Sequence, residues 1–157
     1  MDILQFDTEI VNYYDSSAVA ARITVNGQPL IGTVKDYELP YAKKYGQESI
    51  AGGYSYVPIK FLYKFLAEEY KTGYYSEKVP ILICGGCGFV GCWDFSIDIK
   101  ACGDEVIWAN GRNTYRSSPE CLGGFWDYSD FPEFHFSAEN YTSQMQKLKV
   151  LAEKHRD

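Results

Sequence analysis

The sequence predicts an α+β fold: two antiparallel β-sheet units, each followed by a helix, in the order three or four strands, helix, about four strands, helix. Three observations carry this expectation. Short runs alternate apolar and polar residues in both halves, the Asn26-Gly27 pair supplies the positive-φ corner of a hairpin, and two segments switch to helical spacing. A chain of 157 residues can bury one real core, so one domain over 1–157 is expected, with strand-rich unit 2–57 leading into helix 58–72 and strand-rich unit 79–136 into helix 137–155.

Residues 2–11 alternate, with Leu4, Phe6, Thr8 and Ile10 on one side and Gln5, Asp7 and Glu9 on the other, which predicts a half-buried strand. Val19, Ala21, Ile23 and Val25 face one way in a second strand, and Asn26-Gly27 turns it into a third over Leu30 to Val34. Residues 35–57 are rich in Tyr, Gly and Lys without a sustained period and read as a long loop or irregular strand. Pro58 suits a first helical turn; Ile59, Leu62, Phe65, Leu66 and Tyr70 form an apolar stripe opposite Lys60, Lys64, Glu68 and Lys71, and Gly73 stops the helix. Val79 to Cys84 enters a cysteine loop, after which Trp93, Phe95, Ile97 and Ile99 alternate with Asp94, Ser96, Asp98 and Lys100. Asp94 and Asp98 read as parts of a solvated strand face. A turn at Cys102-Gly-Asp-Glu105 leads to a partner strand over Val106 to Ala109, and Phe134-His135-Phe136 forms a last strand. Ser137 then caps a helix whose buried stripe is Tyr141, Met145, Leu148 and Leu151.

A net charge of −6 with no basic run opposes binding to a phosphate backbone, so no nucleic-acid partner is expected. The N-terminal residues lack a basic, apolar leader and no stretch approaches membrane-spanning length, which sets the expectation of a cytoplasmic protein without a membrane partner. In a reducing compartment the five cysteines read as free thiols or metal ligands.

Cys84, Cys87 and Cys92 fall within nine residues, separated largely by glycine. A structural zinc ion would take these three with Cys102 or His135 as the fourth ligand, while Cys84-x-x-Cys87 would serve thiol redox chemistry with a helix N-terminus or a nearby cation to stabilise a thiolate, and neither is evident in the sequence around it. The third reading is a tight loop between two strands in which free cysteines bury as small hydrophobes. No cofactor is expected under that reading, and zinc under the first. No nucleophile elbow or phosphate cradle is present, so no catalytic residue is assigned; a non-enzymatic role is expected, with a thiol-dependent enzyme as the third choice. His135 reads as a lone surface histidine, and His155 lies in a terminal segment.

Aromatic residues make up 17% of the chain, and the run 125–133 interleaves them with acids: Trp126, Asp127, Tyr128, Asp130, Phe131 and Glu133. Aromatic anchors flanked by carboxylates suit a contact with a basic protein, although Trp126 and Phe131 can equally plug the end of a sheet.

Cys87-Gly-x-x-Gly-Cys92-Trp93, followed by an alternating strand, Val106-x-Trp108, Phe134-x-Phe136 and a helix with Tyr141 and Leu148, resembles a family of small uncharacterised bacterial proteins with a C-G-x-x-G-C core. The resemblance covers about 79–150 and implies no settled activity, and the three-residue step from Cys84 to Cys87 departs from its two-residue pattern. The doubled strand-then-helix order is also similar to whirly-like domains, a fold used by some immunity proteins of contact-dependent growth inhibition systems. That likeness implies an immunity protein that neutralises a basic toxin domain, such as a nuclease, by occlusion. The alternative is a small zinc-binding protein organised by the cysteine loop.

Overall fold

The computed structural model describes residues 1–67 and 75–155 and is α+β, with two antiparallel sheets and three helices. Strands β1 (Leu4–Asn12), β2 (Ser17–Val25) and β3 (Gln28–Pro29) form the first sheet in the order β1-β2-β3. Asn26 and Gly27 sit at φ 55° and 78°, the positive values that a tight hairpin corner requires.

The third strand stops at Pro29, which has no N–H to donate to a ladder, and the chain turns directly into α1 (Leu30–Lys44). The strand expected at Leu30–Val34 and the loop expected from residue 35 are therefore helical as far as Lys44. Leu30, Val34, Glu38 and Ala42 recur every fourth residue and form the buried stripe. A glutamate in that stripe and Pro40 on the exposed side disguise the period. On β1 the expected alternation holds for Leu4 and Phe6 but reverses at the far end, where Ile10 is 72% exposed and Val11 8%. The pairing with β2 is unbroken over that stretch, so the twist of a nine-residue strand, rather than a bulge, carries Ile10 off the core.

A single 3₁₀ turn (Glu48–Ile50) precedes β4 (Tyr54–Tyr56) and α2 (Ile59–Leu66), whose Ile59, Leu62 and Leu66 are buried. The end expected for that helix, including Glu68, Tyr70, Lys71 and Gly73, lies outside the described residues. The second sheet is a meander in the order β4-β5-β6-β7-β8, with β5 Tyr75–Cys84, β6 Phe95–Cys102, β7 Glu105–Asn113 and β8 Phe134–Ser137. Its edge strand β4 comes from the first half of the sequence, pairing Tyr54 with Cys84 and Tyr56 with Leu82, so the two halves share a sheet rather than each closing its own. Strand β7 runs on to Asn113, past the expected end at Ala109.

Strand β6 is buried on both faces over 95–99, so the expected solvated face of Asp94 and Asp98 is interior: the two are 8% and 7% exposed, and Ser96 between them 2%. Asp98 makes this tolerable. Its Oδ1 accepts from the Lys78 amide at 2.9 Å and from Arg112 Nη1 at 3.2 Å, and its Oδ2 accepts from Asn110 Nδ2 at 2.8 Å. Lys78 and Asn110 are both at positive φ, and the β5–β6 and β6–β7 registers both slip beside them. One carboxylate thus pins an irregularity on each neighbouring strand. Burial disfavours its charge, but the Lys78 amide, Asn110 and Arg112 outweigh burial and hold the carboxyl below its ordinary value.

Helix α3 (Ala138–Lys154) begins as expected at Ser137, whose Oγ accepts from the Asn140 amide at 3.0 Å. Tyr141 and Leu148 are fully buried and Met145 and Leu151 pack against the same core. Asn140 Oδ1 and Gln144 Oε1 accept from the Leu4 and Phe6 amides, each at 2.9 Å, and so satisfy the edge of β1 that has no strand partner. Two single bridges stitch the sheets together, Asp2 with Phe136 and Ala20 with Pro58. Among the described residues no helix is long and apolar enough to cross a membrane.

Candidate metal centre

Strand β5 delivers Cys84 to a turn in which the Gly88 amide donates to the Cys84 carbonyl at 3.1 Å. Gly88 is required twice over: its φ is +73°, and a Cβ there would stand 2.8 Å from the Tyr13 ring. The turn is braced from outside, by Gly85 N–H to the Gly53 carbonyl at 3.2 Å and by Tyr14 N–H to the Gly86 carbonyl at 3.1 Å. The loop returns through Gly91, whose amide donates to Asp94 Oδ2 at 2.8 Å, and brings Cys92 back over the turn. As a result the Sγ atoms of Cys84, Cys87 and Cys92 all lie within 4.8 Å of one another, and the three can hold a metal ion. A tetrahedral thiolate site with bonds of about 2.3 Å has sulfur–sulfur edges of about 3.8 Å, so only a small contraction separates this triangle from a ligand set.

The three thiols hydrogen-bond one another. Burial disfavours the Cys84 thiolate, but the Cys87 and Gly86 amides and the Cys87 and Cys92 thiols outweigh it and bring its pKa below the ordinary range. Cys92 is pushed the other way, up to about 12, first by its hydrogen bonds with Cys87 and Cys84 and then by burial. Cys84 therefore ionises more readily than Cys92, which keeps its proton until a cation displaces it.

Cys102 does not join them. The β5–β6 register sets Leu82 beside Phe95 and Tyr75 beside Lys100, which puts Cys84 and Cys102 at opposite ends of the sheet. His135 pairs with Ile107 at that far end and lies 3.1 Å from Glu133 and 3.5 Å from Glu105. Neither expected fourth ligand reaches the centre, because strand register, which spacing does not reveal, separates them from it. The Cys84-x-x-Cys87 pair opens a β-turn and not a helix, the context expected against a thioredoxin-like motif.

The aromatic residues expected at a partner surface are interior. Trp126 is 0% exposed, Tyr128 8% and Phe131 7%. The loop folds back on the sheet because the Trp126 amide donates to the Arg116 carbonyl at 2.7 Å, while the Arg116 guanidinium sits 5.0 Å from the Trp93 ring and 5.7 Å from that of Trp126. Phe131 packs edge-on against Phe95 and Tyr37. Of the interleaved acids, Asp130 and Glu133 are exposed, whereas Asp127 is half-buried and accepts from the Ser129 amide at 2.9 Å.

The residue that the sequence conceals is Glu38, which is fully buried. Its carboxylate accepts from the Gly52 amide at 2.8 Å, the Tyr54 hydroxyl at 2.6 Å and the Tyr128 hydroxyl at 2.5 Å, and Asn113 Nδ2 donates to Tyr54 Oη at 2.9 Å. Burial raises its pKa against those three donors. Tyr54 stands opposite Cys84 in the sheet and stacks on Trp93, so this network buttresses the wall of the cysteine loop.

Comparisons with family models, curated proteins and solved structures find no match to this chain.

Proposed function

We propose that this chain is a zinc-binding protein in which Cys84, Cys87 and Cys92 hold the ion and the ion orders the loop between β5 and β6. The observation that carries the reading is the convergence of three Sγ atoms within 4.8 Å on a turn that only glycine can make. Zinc suits all-thiolate ligation and needs no redox partner, and the lowered Cys84 pKa eases loss of the first proton to the metal. Metal analysis of protein purified without chelator is expected to give about one zinc per chain, falling at least tenfold in Cys87→Ser. Protein that is metal-free when prepared this way, and that takes up no zinc on titration, overturns the reading.

A second reading, an immunity protein that occludes a basic toxin domain, keeps the support of the −6 net charge and of the exposed Asp130 and Glu133. Electrostatic steering of such a partner acts through the association rate. Reversing both charges is expected to slow association with a basic nuclease domain at low salt, and an unchanged rate removes this surface from consideration.

A further inference from the structure

Among the described residues no fourth histidine, cysteine or carboxylate joins the three thiols, and Cys92 is exposed, so a bound ion has a coordination position that solvent can reach. Cys84 is at once a corner of the thiol triangle and part of the wall of a cleft of about 420 Å³, shared with Ser49, Ile50, Gly53, Tyr54 and Trp93. The Tyr54 and Trp93 rings stand 6.5 Å apart and nearly parallel, at 16°. A dication on three thiolates keeps one negative charge, inside a chain whose own net charge is −6, so a further anion is opposed by both fields. A neutral nitrogen donor adds no charge, and a flat ring matches the aromatic walls.

We infer that the fourth position of this centre is an open ligand site that takes a small neutral aromatic nitrogen heterocycle, of which imidazole is the simplest, seated against Tyr54 and Trp93. The inference rests on the zinc reading above. The chain's own competitor is His155, which lines a separate cleft of about 610 Å³ on the Cys87 side. An exogenous ring and an internal histidine therefore approach the triangle from different clefts, and they can be told apart.

Cobalt(II) substituted into the full chain reports on the site through its visible bands. Imidazole is expected to shift those bands saturably while acetate leaves them unmoved. Ser49→Trp narrows the cleft from its exposed lip and is expected to weaken imidazole about tenfold by obstruction, with cobalt affinity unchanged. Trp93→Phe, which keeps a ring in the core, is expected to weaken it less. Bands that ignore imidazole but move in His155→Ala assign the position to the protein's own histidine and overturn the inference, leaving the metal reading intact. Bands that change with protein concentration, without imidazole, assign it to a histidine of a second copy and overturn it likewise. A chain that takes up neither cobalt nor zinc overturns both readings.

Discussion

Glu38→Leu is expected to destabilise the protein by about 3–5 kcal/mol, read as a drop in the urea midpoint at unchanged slope. The side chain is fully buried, and its loss leaves the Tyr54 and Tyr128 hydroxyls and the Gly52 amide without their acceptor. Each orphaned buried donor costs about 1–3 kcal/mol, and Asn113, which reaches Tyr54 through its side chain and Tyr128 through its backbone, meets both as a donor and so replaces neither lost acceptor. Glu38→Gln keeps one acceptor oxygen and the shape, so about 1–2 kcal/mol is expected. The pH dependence separates the two effects. Because burial raises the folded pKa of Glu38 above its ordinary 4.5, the folded chain holds a proton that the unfolded chain has lost just above that value. Its contribution is therefore fully present below 4.5 and is lost as pH rises to the folded value, and Glu38→Gln should flatten that slope. Equal slopes for wild type and Glu38→Gln would show that the carboxyl does not titrate differently on folding.

Chelation is the second large effect. An ion that binds only the folded state stabilises it by about 4 kcal/mol when free metal stands at about a thousand times its dissociation constant. For a chain of 157 residues this corresponds to a melting temperature about 10 °C higher with zinc than with chelator. The direction with pH follows from the thiols. Binding displaces the proton that Cys92, at about 12, otherwise retains, so the zinc-dependent increment should shrink on acidification. A melting temperature indifferent to chelator would leave the triangle as unligated free thiols, the third reading of the sequence without the burial it expected, since Cys84 and Cys87 are half-buried and Cys92 is exposed.

How much of this was legible varies with the range of the interactions involved. Helix α3, the Asn26-Gly27 corner and the short strand at Phe134 depend on neighbours in sequence, and their caps, turns and periods announce them. Helix α1 stayed hidden because Glu38 occupies a core position whose partners Tyr54 and Tyr128 lie 16 and 90 residues away. The clue was present, a charge on the four-residue beat of Leu30, Val34 and Ala42, but nothing local says that a glutamate will be satisfied inside. The same non-local pairing turned the 125–133 run inside out: its tyrosine and tryptophan are amphipathic, and only the fold decides that Tyr128 spends its hydroxyl on Glu38. At the cysteines, spacing grouped Cys84, Cys87 and Cys92 but could not exclude Cys102, since that takes the register of β5 on β6.

The amide clasp of Asn140 and Gln144 on β1 has a kinetic consequence. The groups that close that edge are encoded 136 and 138 positions after the amides they protect, so any pairing of β1 with β2 before α3 is made has one bare side. Throughout the synthesis of everything between, the nascent chain carries an open template for pairing with strands of other molecules. Completion of α3 is what retires that template, and any truncation that removes the helix leaves it permanently on display.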